Sequence, residues 1–418
     1  MNFSTILQQK LLLFDGAMGT MLQQKGLLPS GECPERLNIT HPADVLDIHT
    51  AYLLAGADII TANTFGANPL RLEDFGLACQ MEEIIQNAVA LGKEAVSSLN
   101  KPAYVAVSIG PTGRLLHDAP SMATAVYQAY YKQCSVAAAA GADLFVIETM
   151  SDLAEARLAL LAARAASNIP IVACFTLEAD DCTFAGNPPE VLALCCKKLG
   201  ASMAGINCGL GPAEAFSGFS RFVGAGVLPI LALPNAGLPL DNGKYPFNPD
   251  AFAAEMLPYV QGGAQAIGGC CGTTPEHIRA LRPLLDQNQG STRLPTIKDE
   301  YICSAHNRFP LENLADPLPT VQVGSISCAQ AVLRLEQAAQ QAGCLRLDLG
   351  SLDAAQVSSL LWECSPILSQ IPVVFQVHSA QQANAALFSY CGIAAVEADS
   401  DTNQVMKVAS RFGAEILL

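Results

Sequence analysis

The sequence contains few charged residues, a single tryptophan and no long apolar run. Charged residues make up 15% of the 418 positions, and the formal net charge is −15 because 38 acidic residues outnumber 23 basic ones. No block of Lys or Arg occurs, which argues against binding to nucleic acid or to an anionic membrane surface. Hydrophobic residues make up 51% of the chain, which is typical of a compact globular protein with room for a large domain and a smaller one.

The amino-terminal segment lacks the features of a targeting sequence. Its apolar run before Asp15 spans only a few residues, which is too short for the apolar core of a signal peptide or for a membrane span. Fifteen cysteines without a secretion signal indicate a reducing compartment, where thiols serve as core residues or metal ligands. We therefore expect a cytoplasmic protein without membrane contacts.

Short apolar segments alternate with alanine-rich segments through the first 290 residues. Their continuous apolar character fits parallel strands that are buried on both faces. The predicted strands cover residues 11–14, 59–61, 104–108, 144–147, 171–174, 203–206, 230–232 and 264–267. Eight strand–helix units predict a (β/α)₈ TIM barrel over residues 1–285. A doubly wound open sheet is the alternative, but no Gly-x-Gly-x-x-Gly motif follows the first strand.

Polar and thiol side chains follow the predicted strands directly. Active sites of such barrels lie at the carboxyl ends of the strands, so these residues are expected to share one face: Asp15, Asn63, Thr64, Ser108, Glu148, Thr176, Asn207, Cys208, Asn235, Cys270 and Cys271. None of the six histidines occupies such a position. We interpret them as surface or helix residues, including His277 in the helix after the cysteine pair.

Three of the fifteen cysteines follow strands and are flanked by glycine. They are Cys208 in Gly-Ile-Asn-Cys-Gly and the pair Cys270 and Cys271 in Gly-Gly-Cys-Cys-Gly. Three thiolates that meet at one face leave a fourth position of a tetrahedral zinc ion open, as in catalytic zinc sites. The alternative is that they are core thiols, which is how we interpret the other adjacent pair, Cys195 and Cys196, in a predicted helix.

The strand–helix alternation stops near residue 286 and resumes near residue 320. Residues 286–319 are rich in polar residues and proline, which is typical of a linker. Residues 320–418 then contain five further predicted strands, 321–325, 345–349, 373–377, 394–397 and 415–418. They predict a smaller α/β region that resembles part of a second barrel.

Seven segments, in order along the first 285 residues, carry a resemblance to a known family. They are Phe14-Asp-Gly-Ala-Met-Gly-Thr-Met, Thr61-Ala-Asn-Thr-Phe-Gly-Ala-Asn, Ser108-Ile-Gly-Pro, Ile147-Glu-Thr-Met, Gly205-Ile-Asn-Cys, Pro234-Asn-Ala-Gly and Gly268-Gly-Cys-Cys-Gly-Thr-Thr-Pro. Together they resemble the homocysteine-binding module of the homocysteine S-methyltransferase family. That family includes the amino-terminal barrel of cobalamin-dependent methionine synthase and betaine–homocysteine methyltransferase.

The resemblance implies a zinc-dependent methyltransferase that makes methionine. Cys208, Cys270 and Cys271 are the implied Zn²⁺ ligands, and the homocysteine sulfur is the fourth. Zinc coordination deprotonates a thiol whose pKa is otherwise about 8.5. Asn235 is implied as the fourth ligand while substrate is absent, although a turn role before Gly237 is equally compatible with the sequence.

The resemblance also implies a substrate pocket at the strand ends. Asp15 and Glu148 are expected to bind the homocysteine ammonium group. The first loop is expected to bind the carboxylate through backbone N–H groups, with Gly16, Ala17, Gly19 and Thr20 as its contact residues. Asn63, Thr64 and Ser108 are expected to line the pocket.

The region 320–418 resembles, less closely, the first half of the pterin-binding barrel of methionine synthases. It departs from that pattern at Arg346, Asp348 and His378, so we expect no binding of methyltetrahydrofolate and a methyl donor from outside the chain. The expected donor is methylcobalamin on a separate corrinoid protein. The alternatives are a small donor such as S-methylmethionine or betaine, or a non-catalytic adaptor that binds homocysteine or a corrinoid protein.

Overall fold

The computed structural model describes residues 6–7, 9–28, 31–116, 120–240, 243–288, 300–315, 317–324 and 326–417. Among these residues, no helix is both long and apolar enough to cross a membrane. His117 and residues 289–299 of the predicted linker lie outside the described residues.

Eight parallel strands form the first sheet, in the order β1-β8-β7-β6-β5-β4-β3-β2. They are β1 Leu12–Leu13, β2 Ile59–Ala62, β3 Tyr104–Ile109, β4 Leu144–Met150, β5 Ile171–Phe175, β6 Met203–Asn207, β7 Ile230–Leu233 and β8 Ala264–Ile267. A parallel bridge between Phe14 and Ile59 joins β1 to β2, and the Asp58 N–H donates to the Leu13 carbonyl at 2.8 Å. These contacts close the sheet, so the predicted (β/α)₈ barrel is confirmed and the open doubly wound sheet is excluded.

Helices follow the strands and surround the barrel. They are α1 Met18–Gln24, α2 Leu37–Thr40, α3 Pro42–Ala55, α4 Pro69–Glu73, α5 Met81–Ser98, α6 Pro120–Ala139, α7 Leu153–Ala166, α8 Pro189–Lys198, α9 Pro212–Ala225, α10 Pro249–Gln261 and α11 Pro275–Gln287. Most begin with proline, whose fixed φ and missing N–H suit the first helical position. Gly56 ends α3 with a φ of +107°, as the sequence pattern predicts for a glycine at a helix terminus.

The barrel strands are buried on both faces. Alternate residues such as Leu12, Phe14 and Val146 pack in one cluster inside the barrel, while Leu13 and Ile147 pack in the layer beneath the helices. Because neither face meets solvent, the strands appear in the sequence as continuous apolar runs. Their carboxyl ends are the part of each strand that is free to carry polar side chains.

The remaining residues form a hairpin and a second parallel sheet. The hairpin pairs β9 Tyr301–Cys303 with β10 Arg308–Pro310. The second sheet has the order β11-β12-β13-β14-β15, with β11 Thr320–Gln322, β12 Leu345–Asp348, β13 Val373–Val377, β14 Ala395–Ala398 and β15 Glu415–Leu417. Its helices are α12 Cys328–Ala339, α13 Ala354–Glu363, α14 Ser365–Leu368, α15 Ala380–Ser389 and α16 Thr402–Arg411.

The segment predicted as a linker contains ordered structure. The hairpin lies within it, and Ile302, Cys303 and Ala305 are buried. Phe309 packs on a cluster that includes Val374 of the second sheet. The smaller α/β region therefore begins at the hairpin, before β11, and the two three-residue strands are too short to give a strand pattern in the sequence.

Candidate metal centre and substrate pocket

Cys208, Cys270 and Cys271 meet at the carboxyl ends of the barrel strands. Their sulfur atoms all lie within 4.8 Å of one another, and those of Cys208 and Cys271 are 3.9 Å apart. Backbone contacts fix the two loops, because the Cys208 N–H donates to Leu233 O at 3.1 Å and the Cys270 N–H donates to Pro234 O at 2.9 Å. Both loops are thus attached to the end of β7, which lies between β6 and β8.

Unusual backbone conformations orient these thiols. Cys208 has a φ of +59°, a value uncommon for a residue with a side chain and costly by about 1–3 kcal/mol. Gly272 has a φ of +82°, and a Cβ atom there would lie 2.1 Å from Cγ of Tyr245. Only glycine fits beneath the Tyr245 ring, which explains the glycine directly after the cysteine pair.

The three thiols differ in their pKa values. Hydrogen bonds from Cys208 and Cys270, with a further one from Tyr245, lower the pKa of Cys271 to about 3. Hydrogen bonding to Cys208 and Cys271, together with burial, raises the pKa of Cys270 well above its usual value. A cluster of this kind holds one thiolate readily and needs a cation to hold three.

The cluster fits a tetrahedral metal ion. Zinc bound to sulfur at about 2.3 Å requires sulfur–sulfur separations near 3.8 Å, and the pair Cys208 and Cys271 is at 3.9 Å. Asn235 is buried, and its Nδ2 donates to Gly209 O at 3.0 Å. Its Oδ1 is buried without a hydrogen-bond partner among the described residues, which is unusual for a native amide. Asn235 follows the end of β7, next to the thiols, and its side-chain oxygen could serve as a metal ligand.

His277 does not join the cluster. Its Nδ1 contacts Thr274 in a capping box at the start of α11, and its Nε2 lies 2.9 Å from Phe247 O. It is an ordinary helix residue, as the sequence indicates.

Asp15 lies at the end of β1 and is 5% exposed. Its carboxylate accepts two hydrogen bonds of 2.7 Å, from the backbone N–H and the hydroxyl of Thr61. Burial raises its pKa to about 7, and nearby Glu148 contributes to the rise. No Lys or Arg among the described residues contacts this carboxylate, so it is suited to binding an external cation.

Glu148 lies in β4 and shares a hydrogen-bond network with its neighbours. It accepts hydrogen bonds from the Ser108 hydroxyl and from Asn207 Nδ2 at 3.2 Å. Asn207 in turn accepts from the Thr149 N–H at 2.8 Å. Burial raises the pKa of Glu148 to about 7. Asn207, which directly precedes Cys208, therefore connects the carboxylate to the thiol cluster.

The other predicted pocket residues have clear local partners. Asn63 donates to Pro34 O at 2.8 Å, and Thr64 donates to Ser108 O at 2.9 Å. In the first loop, the Ala17 N–H donates to Thr273 Oγ1 at 3.2 Å. The Thr20 hydroxyl accepts from the Gly272 N–H at 3.0 Å, which ties the first loop to the loop that carries Cys271.

One cavity of about 280 Å³ brings these residues together. It is lined by all of the predicted zinc ligands and substrate-binding residues except Asn235, namely Asp15, Gly16, Ala17, Gly19, Thr20, Asn63, Thr64, Ser108, Glu148, Cys208, Cys270 and Cys271, whereas the strand-end residues Thr176 and Asn207 are not in its lining. Its described lining contains no Lys or Arg.

Sequence reasoning missed Glu35, a third carboxylate in this lining. It is 4% exposed and accepts from the Gly66 N–H at 2.6 Å and from the Cys33 thiol at 3.0 Å. Glu35 precedes the second strand by more than twenty residues and follows no strand, so no pattern placed it at the site. The sequence marks Glu35 only as an acidic residue between Pro34 and Arg36 in a chain with few charged residues.

Sequence comparison assigns the barrel to a family. The profile of the family described as homocysteine S-methyltransferase matches residues 12–285. Methionine synthase of Mycobacterium tuberculosis (strain ATCC 25618 / H37Rv) is 34% identical over 294 residues, which are 66% of this chain and 25% of that protein. Methionine synthase of Mycobacterium leprae (strain TN) is 34% identical over 293 residues, which are 66% of this chain and 24% of that protein. This chain therefore spans about a quarter of the length of these relatives.

Structural comparison points to the same barrel. The oxidised form of the homocysteine methyltransferase MmuM from Escherichia coli is 26% identical with a TM-score of 0.58, covering 67% of this chain and 98% of that chain. Its metallated form has the same TM-score and coverage at 24% identity, which supports the fold. Because the family profile covers well over half of the sequence, this chain belongs to the homocysteine S-methyltransferase family.

Proposed function

We propose that this chain is a zinc-dependent homocysteine S-methyltransferase that forms methionine. The observation that carries the proposal is the cluster of Cys208, Cys270 and Cys271, whose sulfurs lie within 4.8 Å of one another at one end of the cavity. A protein that used these thiols only for packing would not place them, half-buried, at the wall of a cavity that is also lined by carboxylates.

The three cysteines would hold Zn²⁺, and Asn235 Oδ1 is the candidate fourth donor before substrate binds. Zn²⁺, when bound, holds a thiol as a thiolate near neutral pH. Tyr245 hydrogen-bonds to Cys271, and such an outer contact fixes the orientation of a ligand.

Asp15 and Glu148 orient the substrate. Asp15 is buried and Glu148 is partly buried, both have pKa values raised to about 7, and an ammonium group between them would favour their ionised forms. The α1 amino terminus has no capping side chain at Ala17, so the backbone N–H groups of its first turn are available for the substrate carboxylate. Anchoring both ends of the amino acid directs its thiol towards the cysteine cluster.

The reaction is a nucleophilic displacement. The homocysteine sulfur attacks the methyl carbon, a carbon–sulfur bond forms, and the bond from the methyl group to the donor breaks with its electron pair leaving on the donor. The protein contributes by fixing the sulfur in place within the cavity.

A separate corrinoid protein is the proposed methyl donor. Loops that follow the barrel strands carry exposed apolar side chains that a docked partner could cover: Phe65, Leu115, Phe184, Leu238 and Leu240 are 41–83% exposed. These loops surround the barrel end at which the cavity opens. The matched segment covers only about a quarter of the methionine synthases that this chain resembles, so further domains accompany the matched barrel in those proteins.

A small donor with a positively charged methyl-bearing group, such as the sulfonium of S-methylmethionine or the quaternary ammonium of betaine, is the second candidate. Its support is the charge of the cavity, which has Asp15, Glu35 and Glu148 in its lining and no described Lys or Arg. Homocysteine supplies a single ammonium group, so a sulfonium or quaternary ammonium group on the donor would be attracted to the remaining negative charge of this lining.

A non-catalytic adaptor that binds homocysteine or a corrinoid protein is the third candidate. An adaptor has no need for three thiols around one metal position, and the retained cluster therefore favours the enzyme.

One assay separates these candidates. Methionine formation from homocysteine would be measured in parallel with methylcobalamin, methyltetrahydrofolate, S-methylmethionine and betaine as donors. We expect product with methylcobalamin. Product with only S-methylmethionine or betaine would select the second candidate, and no product with any donor, from zinc-loaded protein that binds homocysteine, would select the adaptor.

A further inference from the structure

The smaller α/β region contacts the barrel at a loop beside the thiol cluster. The loop joins β5 to α8 and consists of residues 176–188, called here the β5–α8 loop. The contacting part of the smaller region is the hairpin turn, residues 304–307 between β9 and β10.

Asn187 is the main link between the two. It is 1% exposed, and its Nδ2 donates to Ala305 O of the hairpin turn at 3.0 Å. Its Oδ1 accepts from the Leu153 N–H at 2.9 Å and from the Thr183 hydroxyl at 2.8 Å. One buried amide therefore joins the start of α7, the β5–α8 loop and the hairpin turn.

His306 provides a second link in the same turn. Its Nε2 lies 3.1 Å from Ala185 O of the β5–α8 loop, and its Nδ1 lies 2.9 Å from Ser369 O of the smaller region. Asn307, the next residue, donates through Nδ2 to Gln370 O at 2.7 Å. This side-chain contact lies within the smaller region, so Asn307 makes a matched control for His306.

The other end of the β5–α8 loop packs against the residues around Cys208. The Thr176 hydroxyl donates to Asn207 O at 3.2 Å. A Cβ atom on Gly209 would lie 2.7 Å from Thr176 Cγ2 and 3.2 Å from Leu177 O. The residues on both sides of Cys208 are therefore in close contact with this loop, and a shift of the loop would change the position of the thiol.

The smaller region is firmly attached to the barrel, which this role requires. Arg157 of α7 is 2% exposed, and its guanidinium donates to the carbonyl oxygens of Leu387, Phe388 and Gly392 at the end of α15. Removing a buried charged group from such contacts is costly, so the region does not separate easily from the barrel.

We propose that Asn187 and His306 are positioning residues for the metal centre, through which the smaller α/β region holds the β5–α8 loop against Cys208. The inference rests on the proposed function, because it takes Cys208 as a metal ligand. It gives the region after the barrel a role in the chemistry of the barrel without requiring it to bind a ligand.

Two variants of the full chain test the proposal. Asn187→Asp keeps an acceptor for Leu153 and Thr183 but places a carboxylate oxygen against Ala305 O, so it breaks the link to the smaller region. His306→Ala removes the second link from a half-buried position, where folding is not at risk, and Asn307→Ala is its control.

The readouts are the visible spectrum of the Co²⁺-substituted protein and the rate of Zn²⁺ release to a chelator. Loss of a group that hydrogen-bonds to a metal ligand typically costs 10–100-fold in metal affinity, and Asn187 and His306 act one step further out, through the β5–α8 loop, so the lower end of this range applies. We expect about 10-fold faster release from Asn187→Asp and His306→Ala and a changed Co²⁺ spectrum, whereas Asn307→Ala matches the wild type. A merely structural role would lower the unfolding temperature without changing the spectrum of the folded protein.

Wild-type spectra and release rates in both Asn187→Asp and His306→Ala would overturn the proposal. If Asn187→Asp does not fold, His306→Ala alone decides in the same way. Failure of the proposed function is a different result: the wild-type chain itself would then bind neither Co²⁺ nor Zn²⁺ through cysteine sulfur.

Discussion

The sulfur atoms of Cys208 and Cys271 lie 3.9 Å apart although 63 residues of chain separate them. The barrel creates this proximity, because β6 and β8 are separated only by β7 and both loops donate backbone hydrogen bonds to the end of that strand. The thiol cluster is therefore a consequence of strand order, and its precision depends on the short loops that follow the strands.

The first prediction concerns Gly272, which lies directly after Cys271. Gly272→Ala should abolish metal binding by the thiol cluster, because φ is +82° and the new methyl group would overlap the Tyr245 ring. Gly76→Ala is the matched control. Its φ of +68° is similar, but nothing lies within 4 Å of an added Cβ, so it should cost only about 1–2 kcal/mol of backbone strain.

Zinc content and unfolding free energy of the two purified variants check this prediction. Equal zinc content in Gly272→Ala and Gly76→Ala would mean that the Tyr245 contact does not constrain the cluster.

Much of the barrel could be predicted from the sequence because burial leaves a direct trace there. Strands such as Ile171–Phe175 are apolar and buried on both faces, so their positions are visible in the sequence, and the glycines around Cys208 and Cys270 mark strand ends. Predicted and observed strands differ mainly at their carboxyl ends. For example, β4 continues through Glu148 to Met150, because polar residues whose side chains have hydrogen-bond partners can still be part of a strand.

The second prediction concerns substrate affinity. Asp15→Asn and Glu148→Gln should each weaken homocysteine binding by about 1.5–3 kcal/mol, the typical value of a hydrogen bond to a charged group. Zinc content should stay at the wild-type level, because neither carboxylate contacts a thiol directly. Calorimetric titration of the zinc-loaded variants measures the effect, and wild-type affinity in both would assign these carboxyls a structural role.

The third prediction is the pH dependence of stability in the metal-free protein. Burial raises the pKa values of Asp15 and Glu148 to about 7, so between about pH 4 and 7 the folded state binds more protons than the unfolded state. Their contribution to stability is complete below about pH 4 and is lost as the pH rises through about 7. The free energy of unfolding should therefore fall between about pH 5 and 7, and less so in Asp15→Asn and in Glu148→Gln.

Glu190→Gln is the control for this measurement. The hydrogen bonds from Arg221 at 2.8–2.9 Å outweigh partial burial and lower the pKa of Glu190, so its titration lies below the tested range. The fall in stability should be unchanged in this variant. An equal fall in the wild type and both carboxyl variants would show that Asp15 and Glu148 are not the responsible groups.

The fourth prediction is that the chain does not bind methyltetrahydrofolate. Arg346 forms an ion pair with Glu397 at 2.7 Å, and His378 lies between Asp348 at 3.4 Å and Asp399 at 3.0 Å. These polar groups on the five-stranded sheet bond to one another, and an open sheet gives a pterin ring fewer enclosing walls than a typical ligand pocket does. Calorimetry should detect no binding, and micromolar affinity would contradict the prediction.

Contacts between distant segments were beyond sequence reasoning. Glu35 accepts a hydrogen bond from the distant Gly66 N–H, and Asn187 donates one to Ala305, which lies 118 residues further along the chain. Neither lies at a strand end, and an isolated Asn or Glu in a loop has the same appearance in the sequence whether it is solvated or buried. Patterns of burial are periodic along the chain and can be recognised, whereas single polar contacts between loops are not periodic.

X-ray absorption at the zinc edge is the most direct test of the account, because it counts the sulfur atoms around the metal. The wild-type chain should bind about one zinc ion with three sulfur ligands and one lighter ligand, and homocysteine should replace the lighter ligand with a fourth sulfur. Cys195→Ala, a change at a fully buried thiol outside the cluster, should leave this spectrum unchanged, whereas Cys208→Ala, Cys270→Ala and Cys271→Ala should each remove a sulfur and abolish methyl transfer. Fewer than three sulfurs around zinc in the wild-type protein, or full activity in Cys271→Ala, would contradict the central claim.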